Sequence, residues 1–385
     1  MKIVLSHWRH SIAQAFGLAT LLLCALLVLP LSLHSEDSEM LMQRDSPKPV
    51  LGIKGAPHWR SVHVANAAIL RPEESPDSLW RMYVRGSAFY PNHGGAPEDY
   101  YHDSIGLLYQ TAVDFSPRGP WLEHPDNPLL IHGERDAHDG KHLLDCAPVW
   151  GQDAQGEDTL YLIYKAISYG GGGSLAAAFS PMPGDDFTKF LSNPLQSRVG
   201  PCDVVYHEGK YYIYYGNTKY DVVSRRNQSK LKTYLAVVDD IRDFPDAERS
   251  LVLDVGQDGA FDSESVHGGR IFQLKDRWYM VYQCSDRHMD YPNRFHVAWS
   301  DDLLSWNKVD NPHPFFLRGP AGTWDEGGIW YGEVFEYEGT LYMYYEGWGT
   351  GKPRYDRDRP YVRGARSQTG LASVSVDDFL KWCGH

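Results

Sequence analysis

The chain is short of cysteine, of positive charge and of helical pattern. Its 385 residues hold five cysteines, and none has a CxxC partner. That excludes the paired-thiol knuckles of a zinc site. Cys24 lies in an apolar N-terminal run; Cys146, Cys202, Cys284 and Cys383 are scattered, and their spacing selects no disulfide over buried free thiols. Lys and Arg number 37 against 50 Asp and Glu, for a net charge of −13. So acidic a chain lacks the basic surface that a phosphate backbone demands, which excludes nucleic acid as a partner. Amphipathic stretches at helical period are nearly absent. No low-complexity segment divides the chain after residue 50, so a single domain is expected over 51–385.

Aromatic residues, by contrast, abound: 25 Tyr, 14 Phe and 12 Trp, a composition that favours strands and sugar-stacking surfaces. The first 35 residues form a leader. Lys2 and Arg9 precede 18 uncharged residues from Phe16 to Leu33, the pattern of an export signal or a single membrane anchor. The mature protein is expected to be secreted or periplasmic, with membrane contact only if the leader is kept. Residues 36–50 read as a linker.

One phrase recurs five times. It runs "LWRMYV" (79–84), "LYLIYK" (160–165), "YYIYYG" (211–216), "WYMVYQ" (278–283) and "LYMYYE" (341–346). Large residues alternating at period two indicate strands. Each copy follows a shorter apolar strand: "ANAAIL", "CAPVW", "CDVVY", "GGRIF" and "GEVFE". Each is followed by a strand of small residues that ends in acidic turn residues and an aromatic, as in "FHVAWSDDLLSW" (295–306). Every unit thus supplies about four strands. Five such units predict an all-β, five-bladed β-propeller of four-stranded antiparallel blades, with a β-sandwich ranked second. Inner strands are expected near 66–70, 146–150, 202–206, 268–272 and 332–336.

These phrases, with "HPDNPLL" at 124–130, resemble the arabinanase, levansucrase and invertase superfamily of five-bladed propeller glycosidases, whose relatives include families 43, 32, 62, 117 and 130. The resemblance spans nearly the whole mature chain. It implies an exported glycoside hydrolase acting on a plant or algal poly- or oligosaccharide, with acidic residues on the inner strands around an axial funnel. Departures are specific. Where family 43 opens blade one with an Ala-Asp-Pro phrase, this chain has Asn66; where it carries Glu-Gly-Pro in blade three, this chain has Val199. A non-catalytic carbohydrate-binding propeller and a family 130-like phosphorylase are the alternatives.

Glycoside hydrolysis normally needs two carboxyl groups flanking the bond. Asp203 and Glu333 open two inner strands in matched register and are the leading acid/base pair, with Asp145 before the inner strand of blade two and His267 in blade four assisting. Blades three and five are not neighbours, so the wider, inverting spacing is expected. The substrate-binding candidates are Glu264, Arg270, Trp330, Tyr331 and Asn66. Arg270 occupies the slot of Asp203 and Glu333, and Trp330 and Tyr331 are natural stacking platforms. Asp262 and Asp325 recur at one position of two repeats, which suits a turn cap better than chemistry. His138, Asp139 and His142 lack the spacing of metal ligands and read as a surface loop. The sequence assigns no cofactor, and a structural divalent cation is left open.

Overall fold

The computed structural model describes residues 40–75, 77–89, 101–217, 230–286, 292–349 and 366–385. The leader lies outside them, as do residues 90–100 and 218–229. Among the described residues, no helix is long and apolar enough to cross a membrane.

Five blades follow one another along the chain. The inner strands are His63–Leu70, His142–Gln152, Val199–His207, Ser265–Leu274 and Gly328–Tyr337. Each pairs antiparallel with a second strand: Leu79–Phe89, Asp158–Ile167, Lys210–Asn217, Arg277–Ser285 and Thr340–Trp348. The third strands are Tyr101–Thr111, Gly173–Pro181, Thr233–Val238, Arg294–Ser300 and Ser367–Ser375. Short outer strands complete the first four blades at Leu122–Glu123, Thr188–Lys189, Ser250–Leu253 and Asn307–Lys308. Successive inner strands pack on one another, and the fifth packs on the first.

The fifth blade corrects the sequence reading. Its outer strand is Gln43–Arg44, paired with Ser373 and Ala372 of the third strand. Residues 40–50 are therefore part of the propeller and not a linker. After its third strand the chain forms a helix, Val376–Cys383. Ser375 caps it by accepting from the Asp378 amide, Asp377 and Asp378 sit in its first turn, and Gly384 ends it in the left-handed conformation. The helix buries Phe379 and Cys383 against blades four and five.

The repeated aromatic phrase is explained by where alternate side chains go. In the second strand of blade three, Tyr211, Ile213 and Tyr215 pack toward blade two, while Tyr212 and Tyr214 pack toward blade four. A second strand has both faces buried, so both sets of alternating positions are large. Five apolar clusters result, one between each pair of neighbouring blades.

Candidate functional site

Each inner strand carries a bulge partway along. Pairing skips after Ala65, Leu144, Pro201, His267 and Trp330. Several bulge residues take positive φ: Asn66 at 52°, Asp145 at 53°, Gly268 at 63° and Tyr331 at 42°. Asn, Asp and Gly tolerate that region; a bulky Tyr there is an outlier of the kind that marks a constrained site. The bulges separate the axial channel into two ends. Residues before them face one cavity, and residues after them line another.

At the far end, beyond the bulges, lie Asp203 and Glu333. They line one pocket of about 380 Å³ with Glu74, Trp150 and Trp278. Matched register does bring both carboxylates to the same mouth of the channel. Between them stands Arg270, which is 1% exposed. Its Nη1 is 3.5 Å from Asp203 Oδ1 and its Nε is 3.5 Å from Glu333 Oε2. Its Nη2 donates to the Cys146 carbonyl at 2.7 Å. Asp203 Oδ2 accepts from the Ile271 amide at 2.7 Å, and Glu333 Oε1 from the Ile69 amide at 3.3 Å. All five blades are tied to this node. Burial raises both carboxyls against the pull of Arg270, and Glu333, which also faces Asp203, is pushed up to about 8. One cation cannot hold two buried carboxylates ionised.

At the near end, a cavity of about 190 Å³ is lined by Asp145, Glu346, Arg85, Lys165, Trp330 and Trp348. Lys165 Nζ lies 3.4 Å from Asp145 Oδ2. Its stem runs past Gly173, where a Cβ would sit 2.8 Å from Lys165 Cε. Asn66 joins the acidic groups: its Nδ2 donates to Glu346 Oε2 at 2.6 Å, and its Oδ1 accepts from the Asp145 amide at 3.4 Å. Arg85 Nη2 donates to Glu346 Oε1 at 2.8 Å. Burial raises the Glu346 carboxyl, opposed by Arg85.

The predicted residues thus divide. Asp145, Asn66 and Trp330 belong to the near end, while Asp203, Glu333 and Arg270 form the axial node. Tyr331 lies between the two groups: its ring is 5.0 Å from the Arg270 guanidinium and only 2% exposed, so it is a floor and not a stacking platform. His267 is buried, with its ring where a Cβ on Gly216 would stand, and burial pushes it down to about 4, leaving it neutral. Glu264 lines neither cavity and faces Lys230 at 3.7 Å. His142 is on the inner strand of blade two and not in a surface loop. Among the described residues, no group of three or more His, Cys, Asp and Glu side chains is arranged to hold a metal ion.

Arg85, Lys165 and Glu346 were not singled out from the sequence. Lys165 and Glu346 end their copies of the second-strand phrase, in a slot where the other copies have Val84, Gly216 and Gln283. Variation at that slot was the available signal.

No protein-family model matches the chain, and no curated protein matches it. Solved structures do. A β-1,2-mannobiose phosphorylase from Listeria innocua, in complex with β-1,2-mannobiose, superposes with a TM-score of 0.57 at 13% identity, covering 89% of this chain and 99% of its own. The catalytic domain of a GH62 α-L-arabinofuranosidase from Coprinopsis cinerea gives 0.53 at 12%, covering 88% and 98%. A GH43_1 enzyme from Xanthomonas citri complexed with xylotriose gives 0.51 at 12%, covering 89% and 92%. Likeness at this identity defines the architecture: the chain has the five-bladed propeller fold of these carbohydrate-active proteins, in agreement with its strand phrases.

Proposed function

We propose that this chain cleaves a glycosidic bond of a poly- or oligosaccharide outside the cytoplasm, and that the reaction centre is the near end of the channel. The observation that carries this reading is the 190 Å³ cavity, where two carboxyls, two cations and two indoles meet. Indole faces stack on sugar rings, carboxylates bind hydroxyls and exchange protons, and the cations fix the charge around them. Asp145 is the residue on which chemistry depends. Its carboxylate faces the cavity on a bulge and takes the proton of the attacking water. Family 43's blade-one carboxylate corresponds to Asn66 at this same end, which agrees with a reaction centre here and not at Asp203 and Glu333. Those two carboxyls are engaged by Arg270 and backbone amides, and we assign them to holding the ring.

Phosphorolysis is the second reading. Lys165 offers the cavity an ammonium a quarter exposed, suited to an anionic nucleophile. The Listeria protein named above is a phosphorylase. The experiment is a screen of purified wild type and Asp145→Asn against β-1,2-mannobiose, xylotriose and a wider oligosaccharide panel, with and without inorganic phosphate. Hydrolysis predicts release of reducing sugar without phosphate, lost in the variant. Sugar phosphate as product would select the second reading. Binding without turnover would make the protein a carbohydrate-binding propeller, as Asn66 and Val199 in the family's carboxylate positions would allow.

A further inference from the structure

Behind Arg85, outside the lining of the near cavity, lies a second set of groups, from blade one and the start of blade two. Blades one and two touch through one parallel pairing, Asp103 opposite His142. Their side chains meet there as well, with His142 Nδ1 2.8 Å from Asp103 Oδ2. Asp103 is 2% exposed. It also accepts from the Ser87 hydroxyl, and Arg85 Nε stands 3.8 Å away. A row of polar groups therefore runs outward from the cavity: the Glu346 carboxyl, the Arg85 guanidinium, the Asp103 carboxylate and the His142 imidazole. Burial alone would raise the Asp103 carboxyl, but His142 and Arg85 outweigh it and hold it well below the ordinary range. An ionised carboxylate fixed behind an imidazole orients the ring and stabilises its protonated form. The other ring nitrogen, Nε2, has no partner among the described residues.

This placement answers a gap in the site. Cleavage needs a proton for the departing oxygen as well as a base for the nucleophile. Val199 stands where the resembling family carries its acid, and the buried, neutral His267 is poorly suited to the task. His142 lies three residues before Asp145 on the same strand. Three residues of strand rise about 10 Å, and the bulge at Asp145 shortens the span.

Resting on the reading of the Asp145 end as the reaction centre, we propose that His142 is the proton donor of this site and Asp103 its positioning residue. The protonated Nε2 gives its proton to the glycosidic oxygen as the C–O bond breaks and the electron pair leaves with that oxygen. Water oxygen bonds to the anomeric carbon from the other face, and its proton passes to Asp145. Exchange with solvent restores both groups. Asp103 faces the imidazole, with Arg85 on the other side of that carboxylate and Tyr101, His102 and His63 around the ring.

The test uses two substrates of the same sugar: an oligosaccharide that the wild type cleaves, and its 2,4-dinitrophenyl glycoside, whose leaving group departs without protonation. His142→Gln is expected to lose about 10²–10⁴ in kcat on the oligosaccharide and less than about tenfold on the aryl glycoside. Asp103→Asn is expected to draw the alkaline limb of the kcat/KM profile to lower pH by about one unit, with His142→Gln removing that limb. Equal losses on both substrates, or none on either, would overturn the assignment to His142. An unmoved limb in Asp103→Asn would overturn the role of Asp103. Asp145→Asn keeps the two readings apart: if it is inactive while His142→Gln is not, only the proton donor is wrong. If wild type cleaves neither substrate, or if Asp145→Asn cleaves both, the reaction centre itself is wrong, and the proposal goes with it.

Discussion

A carboxyl group in this propeller takes its role from what surrounds it, and two carboxyls in matched register need not be a catalytic pair. Asp203 and Glu333 share Arg270, and each accepts a backbone amide. Their clearest signature should be stability and not rate. The folded state holds the Glu333 proton more tightly than the unfolded chain does. The resulting stabilisation is complete below about pH 4.5 and is lost as pH rises through about 8. Melting followed by circular dichroism should therefore show the wild-type midpoint falling across that window, and Glu333→Gln should fall less steeply. Equal slopes would remove the assignment. Sequence alone identified these residues because register is legible in a repeat. It did not reveal that Arg270, in the same slot of the next blade, would stand between them. The partners that decide the environment of Asp145 come from second strands, whose copies looked like uniform core.

The same distinction holds for the turns between blades. Loops entering blades two, four and five each carry a Gly whose amide bonds the carbonyl of an Asp six residues on: Gly133 to Asp139, Gly256 to Asp262 and Gly319 to Asp325. Each Asp then pairs with a cation on its own blade's outer strand: Lys189, Lys308 and Arg44. Asp262 and Asp325 were legible as structural residues because the motif repeats, although their side chains pair with cations and do not cap a turn; Asp139 sat among histidines that read as a surface loop, and it is buried. Blade one reverses the charges, with Glu123 on the outer strand facing Arg60 and Lys54. Asp325 is fully buried and also accepts from the Tyr345 hydroxyl at 3.0 Å. Asp325→Ala strands Arg44 and should cost about 3 kcal/mol in chemical denaturation. A cost under about 0.5 kcal/mol would mean that the pair is ornamental.

At the scale of the molecule, the ring closes by a device that repeat counting could not show. The last blade takes its outer strand from residues 43–44, joined by Arg44 to Asp325 and by Ser373 to Asp45. The five-fold phrase is local and shows in the sequence, whereas this pairing joins residues over 300 positions apart. Removing residues 1–46 should leave blade five without its edge and lower the thermal midpoint by several degrees, while removal of residues 1–39 should not. A trimmed chain as stable as the full one would show that closure does not depend on this strand.

Where the chemistry resides remains the central question, and the two ends of one channel make it answerable with matched variants. Asp145→Asn and Glu333→Gln each replace one carboxyl by an amide with almost no change of shape, at opposite ends of the bulges. The deciding measurement is the turnover of both variants, side by side, on one oligosaccharide that the wild type cleaves. Asp145→Asn should lose about 10²–10⁴ in kcat, and Glu333→Gln should keep at least about a third of the wild-type rate below its melting range. The reverse result, an inactive Glu333→Gln beside a working Asp145→Asn, would contradict the assignment and move the reaction centre to the pocket beyond Arg270.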